Sequence, residues 1–399
     1  MQTQVVVFLV MAITFVVVLL LIRNRRGIGI ALVTDSLGNE VIVTKAAIRQ
    51  EQMLFLIDTA YAGAPVLSTS YLSHVEGMRR TRTTKYARDL QATYRSIVES
   101  QAPNPTPNVD MNDSPLGVAT SARALASFIR RTGCRTYTSG CTMRLMGIGH
   151  TTEAQTDLLL CSDVAFGIGG GPLRTSSSEV FVTHPLPSSV HILTMDFLMH
   201  RSPCVLMPAR GRAMWTVDDT RLHSSFVFLT PTFVGGAVRV PMVVGGTQLN
   251  IVIDTGAAAA LSLASGTHVA SCRTPSLQLR ATQTGVNGEK VCSDAFFANV
   301  QIGTLDMGEV QVFSNSHAVE GADGYAGMGL LRALDMWLAP NEVGFRYSGL
   351  STRTSGALTE GRCENSALPH CAVSDATPNE SGGGGTDANR AENMYSLFL

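Results

Sequence analysis

Two stretches of this chain, 196 positions apart, carry the same short pattern. Phe55-Leu-Ile-Asp-Thr-Ala60 leads into Val66-Leu67-Ser68, and Ile251-Val-Ile-Asp-Thr-Gly256 leads into Ala260-Leu261-Ser262. Each reads as three apolar residues, Asp, Thr and a small residue, then Leu-Ser. Further matches follow in the same order. Leu145-Met-Gly-Ile-Gly-His150 parallels Gln283-Thr-Gly-Val-Asn-Gly288, and Cys161-Ser-Asp163 parallels Cys292-Ser-Asp294. Ile168-Gly169 and Ile302-Gly303 come next. His191-Ile-Leu-Thr-Met-Asp-Phe-Leu198 and Tyr325-Ala-Gly-Met-Gly-Leu-Leu331 close the two copies. Matches in one register imply a duplicated unit, so the chain is expected to fold as two related lobes.

The residues between the matches say what kind of lobe. Segments 30–72 and 135–350 are short β-branched runs broken by Gly, Asn and Pro, the pattern of strands and turns. Segment 78–131 differs. It is basic and helix-compatible over 78–100, crosses a Pro/Asn loop, and resumes as a short helix with Thr120 or Ser121 as its cap. The expected architecture is all-β and bilobal, with a helical insertion at 78–131. Lobe one spans 28–225, lobe two spans 226–352, and a polar Gly/Ser-rich tail at 353–399 reads as disordered.

Each copy supplies one carboxylate, Asp58 or Asp254, at the end of an apolar strand. A pseudo-twofold axis would bring the two face to face. Two carboxylates at about 3 Å cannot both ionise, so they share one proton and titrate as a pair. Such a pair activates a water and protonates a carbonyl oxygen, which is peptide hydrolysis with neither metal nor covalent intermediate.

With its apolar strand, Asp-Thr-Gly turn and downstream apolar-apolar-Gly segment, the chain resembles the aspartic protease superfamily. ILTMDFL and YAGMGLL are similar to the closing segment of retropepsin-like members, and two copies in one chain resemble the bilobal, pepsin-type arrangement. The resemblance implies that Asp58 and Asp254 are a catalytic dyad. It implies that Thr59 and Thr255 interlock beneath them, with Ala60 and Gly256 completing the turns. Gly147 and Gly149, and Gly285 and Gly288, would then mark hairpin tips, one of them a flap, for which Tyr137 is the nearest flap tyrosine. No cofactor and no metal are implied. This sequence departs from the family at Ala60 and at Thr194, where Gly is usual, whereas Gly256 and Gly327 keep it. Three readings stay open. The first is a membrane-anchored aspartic endopeptidase acting on a peptide or protein substrate. The second is an inactive protease-like structural or peptide-binding protein of a membrane or viral envelope. The third is a single active lobe, the one with Asp254, working as a homodimer.

Val5 to Ile22 form 18 residues without a charge, about 27 Å as a helix and enough to cross a hydrocarbon core. Arg23, Arg25 and Arg26 follow at once, and MQTQ before the run has no charged side chain. This arrangement suits an uncleaved anchor (1–27 with its basic stop) in the lipid bilayer, and the positive-inside rule puts the remainder in the cytoplasm. The eight cysteines form no C-x-x-C pair, so they permit disulfides without dictating them. Sequons occur at Asn112 and Asn379. A net charge of −1 and 15% charged residues exclude a dedicated nucleic-acid binder and a largely disordered chain. His150, His184, His191, His200 and His223 lack metal-ligand spacing and read as surface or loop residues. The composition leaves the oligomeric state open.

Overall fold

The computed structural model describes residues 26–352 apart from 35–39, 50, 62, 74–114, 147–150, 168–172, 175–178, 185–190, 201–202, 216–219, 235–236, 274–278, 285–289 and 317–320. The apolar run 5–22, the helix-compatible stretch 78–100, the turn glycines Gly147, Gly149, Gly285 and Gly288, and the tail 353–399 lie outside the described residues. Among those described, no helix is long and apolar enough to cross a membrane.

Lobe one opens with β1 (Arg26–Gly29), β2 (Ala31–Thr34), β3 (Glu40–Ile48), β4 (Glu51–Asp58) and β5 (Val66–Ser68). Helix α1 (Pro115–Thr132) precedes β6 (Arg135–Met146), β7 (Thr151–Cys161), β8 (Val164–Phe166), β9 (Leu173–Arg174), β10 (Glu179–His184) and β11 (His191–Thr194). Helix α2 (Met195–His200), β12 (Cys204–Met207) and β13 (Arg212–Trp215) lead through α3 (Thr220–His223) to β14 (Val227–Leu229). β14 already lies within lobe two, which continues through β15 (Thr232–Val234), β16 (Ala237–Val244), β17 (Thr247–Ile253), β18 (Leu261–Ala264), β19 (Leu279–Thr284), β20 (Lys290–Ile302), β21 (Leu305–Ser316) and β22 (Gly324–Ala326). Helix α4 (Met328–Leu331), β23 (Leu334–Ala339) and β24 (Glu342–Tyr347) complete it.

The duplication is visible in the sheets. Lobe one runs β6-β7-β10-β5-β11-β4-β3, continuing to β8 and β9, and lobe two runs β19-β20-β21-β18-β22-β17-β16, ending at β15. Seven strands therefore recur in one order. In both lobes the strand that ends at the aspartate lies parallel to the strand that closes the repeat: β4 with β11, and β17 with β22. The registers agree, with Leu193 opposite Ile57 and Ala326 opposite Ile253. A third sheet, β1-β13-β12-β23-β24-β14, takes strands from both lobes.

Burial on both faces explains why β4 reads as a continuous apolar run. Phe55 and Ile57 face the main core, while Leu54 and Leu56 pack with Val33, Val41, Val43 and Tyr71 on the other side. Phe55 meets the rings of Phe166 and Phe181 at 6.0 and 6.2 Å, and Phe166 meets Phe197 at 4.6 Å.

The structure departs from the sequence reading in several places. β1 begins at Arg26, inside the stretch assigned to a basic stop, because it pairs along β13 from Arg26–Trp215 to Gly29–Arg212. Helix α1 starts at Pro115, so Thr120 and Ser121 stand within it and neither is its cap. Proline suits the first helical turn, where its missing N–H has no intrahelical partner to lose. The two Cys-Ser-Asp segments are not equivalent. Cys161 ends β7, ten residues past the hairpin, whereas Cys292 is two residues past Lys290 at the start of β20. His184 and His191 are buried in strands rather than placed in loops, and burial lowers their pKa to about 4 and about 3. His191 keeps one partner, accepting the Ser68 N–H at Nδ1 (2.9 Å). His223 is half-exposed and pairs with Glu342 at 3.1 Å.

Phe55 is fully buried at the centre of this aromatic group. Phe55→Ala is expected to destabilise the fold by about 3–5 kcal/mol, read as a lower urea midpoint with an unchanged slope.

Candidate active site

An apolar strand that ends in Asp-Thr has to turn where it meets its counterpart, and both turns do so at the same point between the lobes. Thr59 Oγ1 donates to the Ile253 carbonyl (2.7 Å) and accepts from the Thr255 N–H (3.0 Å). Thr255 Oγ1 donates to the Ile57 carbonyl (2.7 Å) and accepts from the Thr59 N–H (3.1 Å). Both threonines are fully buried. The exchange satisfies two N–H groups and two carbonyls that would otherwise be orphaned between the lobes.

Above this exchange lie the carboxyls. Asp58 and Asp254 hydrogen-bond each other, side chain to side chain. Each is also held by its own turn. Ala60 N–H donates to Asp58 Oδ1 (3.0 Å), and Gly256 N–H and Ala257 N–H donate to Asp254 Oδ1 (2.8 and 3.0 Å). Asp58 is buried and Asp254 is half-buried. Burial pushes the Asp58 pKa up to about 6, against the opposing pull of the Ala60 and Tyr61 N–H groups and of Asp254. Burial first, and then the charge of Asp58, hold Asp254 well above the usual carboxylate range. The two titrate as one pair, both raised by burial. The site therefore holds one proton between an acid and a base over a range that reaches towards neutrality.

Gly256 is constrained by space rather than by backbone angle. A Cβ there would stand 2.7 Å from Asp58 Oδ2 and 3.2 Å from Asp254 Oδ1. The corresponding Ala60 keeps its N–H on Asp58 and lays its methyl against the small cluster of Ala237, Val252, Ala322 and Tyr325. Gly327 is similarly pressed, since a Cβ would meet the carbonyls of Ala259 and Ala257 at 2.4 and 2.5 Å. Thr194 occupies that place in lobe one. It fits because eight residues separate Asp58 from Leu67, against six between Asp254 and Leu261. The longer loop passes through Gly63 at φ +96, where the Thr194 hydroxyl donates to the Gly63 carbonyl (2.6 Å) and the Gly63 N–H donates to Asp196 (2.6 Å). The anchoring bond beside the dyad is the same in both lobes. Met195 N–H reaches the Tyr61 carbonyl (2.9 Å) as Met328 N–H reaches the Ala257 carbonyl (2.7 Å).

Tyr137 sits in β6 nine residues before Met146, at the foot of the β6–β7 hairpin, and is 73% exposed. Sequence reasoning missed Tyr61 and Tyr325, whose hydroxyls are both pushed up by burial and by the nearby dyad charge. The recurrent Leu-Ser was the available signal for Tyr325, because Ser262 hydrogen-bonds it. Among the described residues, no three His, Cys, Asp or Glu side chains converge as a metal site.

No family model matches the sequence, and no curated protein matches it. Solved structures that it resembles are retropepsin-like and pepsin-like aspartic proteases and related 7S globulins. A retropepsin-like aspartic protease from Rickettsia conorii shares 16% identity over 31% of this chain and 90% of its own (TM-score 0.23). Aspartic proteinase from Irpex lacteus shares 11% over 83% of this chain and 99% of its own (TM-score 0.39). Basic 7S globulin from soybean shares 11% over 85% and 99% (TM-score 0.39).

Thr59→Ala removes two interlobe bonds and strands the Thr255 N–H and the Ile253 carbonyl. It is expected to cost about 2–4 kcal/mol, and Thr59→Ser to restore most of that, by urea denaturation. For Asp58 the sign follows from its raised pKa. The stability linked to its protonation is complete below about pH 4 and is lost as pH rises through about 6. Asp58→Asn is therefore expected to stabilise the fold at pH 7, by about 1–3 kcal/mol, and to change little at pH 4, by thermal melts at the two values.

Proposed function

We propose that this chain is an aspartic endopeptidase, tethered to a bilayer through residues 5–22. The observation that carries the reading is the pair of interlocked Asp-Thr turns with their two carboxyls in mutual hydrogen bond. In this reading a water sits against the dyad beside the scissile carbonyl. Ionised Asp58 takes a proton from that water as its oxygen attacks the carbonyl carbon. Neutral Asp254 gives its proton to the carbonyl oxygen, forming a tetrahedral gem-diol. Collapse breaks the C–N bond, the departing nitrogen receives a proton from Asp58, and Asp254 recovers its own from the gem-diol hydroxyl. Thr59, Thr255, Ala60 and Gly256 touch no substrate atom in this scheme and act by holding the carboxyls. Both aspartates come from one chain, which removes the need for a second copy to complete the pair and weighs against the homodimer reading.

The test is incubation of the protein with a diverse peptide mixture between pH 3 and pH 8, with cleavage read by mass spectrometry. Asp58→Asn and Asp254→Asn are each expected to lower kcat/KM by at least about 10³-fold. The wild-type rate is expected to fall below about pH 6, where Asp58 takes up its proton. A folded wild type that cleaves nothing across the range would sink the reading in favour of a protease-like binding or structural protein.

A further inference from the structure

Lobe one contains a covalent link that the dyad does not use. Cys134 follows α1 and directly precedes β6, and Cys161 is the last residue of β7. Their sulfurs are joined across 27 positions of sequence, with Cα atoms 4.4 Å apart. That separation is within the range of bridged pairs. Both side chains are buried, enclosed by the same core as Phe128 and Leu159. Arg135 pairs with Leu160 beside the bridge, so the link closes the foot of the β6–β7 hairpin and ties the inserted helix to the sheet. The choice of partners is selective. Cys204, wholly buried, and Cys141, half-buried, remain free thiols in the same lobe.

A bridge of this kind forms and persists where thiols are kept oxidised, and is rare in the cytosol. Its formation takes two protons and two electrons from the two thiols, and the disulfide oxidoreductases of the secretory route accept them. Arg23, Arg25 and Arg26 favour the opposite side of the membrane, but a flanking charge biases orientation without imposing it. The bridge is built into the folded core, whereas Arg23 and Arg25 only flank the apolar run in sequence and Arg26 already belongs to β1. We infer that the two lobes work on the non-cytoplasmic side of a membrane, where lumenal, cell-surface or secreted proteins form the substrate pool. The choice of compartment stands on the bridge, and only the naming of substrates rests on the proposed peptidase activity. The sequons at Asn112 and Asn379 are usable glycan acceptors on that side.

The test uses the full chain with a C-terminal epitope tag, made in cultured eukaryotic cells. Sealed microsomes are treated with protease with and without detergent. The recovered lobes are alkylated before and after reduction and mapped by mass spectrometry. The lobes are expected to resist protease until detergent is added, and Cys134 and Cys161 to be alkylated only after reduction. Digestion without detergent, or alkylation of both cysteines before reduction, overturns the inference. Carbonate extraction of the same membranes separates it from the tether. Protected, disulfide-linked lobes released by carbonate would remove the anchor and leave the compartment standing. Peptidase activity is not a readout here, so a failure of the proposed reaction leaves this result unaffected.

Discussion

The hydroxyl exchange between Thr59 and Thr255 is the contact on which the site depends. Each threonine both donates to and accepts from the backbone of the opposite lobe, and both are fully buried. Neither lobe can satisfy those groups alone, so separating the lobes exposes or orphans all of them together. The carboxyls one residue earlier inherit that geometry. They meet because the turns beneath them are locked, and because they meet in a buried place they share a proton. Desolvation raises both, and the turn N–H groups pull the other way. The balance leaves an acid beside a base without any other charged group in the dyad.

Lobe one has diverged without losing this geometry, and its compensations are local. Two added residues between Asp58 and Leu67 move the loop away from the position that is occupied in lobe two by Gly327. Thr194 fills the space, and its hydroxyl satisfies the Gly63 carbonyl. The same slack shifts the pairing of β5 against β11, where Val66 rather than Ser68 faces Ile192; in lobe two Ser262 faces Tyr325. Asp58 lies deeper than Asp254. Two halves of one repeated pattern thus present carboxyls in unequal surroundings.

The dyad turns and the bilobal β architecture were legible because they are local patterns repeated in register. An apolar strand ending in Asp-Thr identifies itself twice, and the second copy removes most of the ambiguity of the first. The remainder depends on long-range pairing, which leaves little trace in a short window. Nothing in Arg26-Gly-Ile-Gly29 announces a strand until β13 is beside it. The Cys-Ser-Asp match was a coincidence of letters, since equivalence in a sheet is counted along the pairing register and not by distance in sequence. His191 reads as a loop residue by type, yet the rings of Phe55 and Tyr71 enclose it. Cys134 and Cys161 had no spacing signal because α1 and a hairpin bring them together.

Positioning a dyad demands that the lobes themselves be held, since a displacement of about 1 Å removes most of the benefit of pre-aligned groups. Three restraints of different physical kinds act here. At the centre are the directional bonds of the threonine exchange. Below them the six-stranded sheet interleaves strands from both lobes, β12 pairing with β23 from Cys204–Leu338 to Leu206–Met336, so that lobe rotation would have to break a hydrogen-bonded ladder. At the side, Arg332, just past α4, meets Glu40 at the start of β3 at 2.5 Å, with both side chains largely removed from solvent. A partly buried pair of this sort contributes little net stability but resists being pulled apart, because either charge left alone in the protein is costly. Restraints that are individually modest and geometrically independent leave the lobes one arrangement in which all three are satisfied. In that arrangement Asp58 and Asp254 touch.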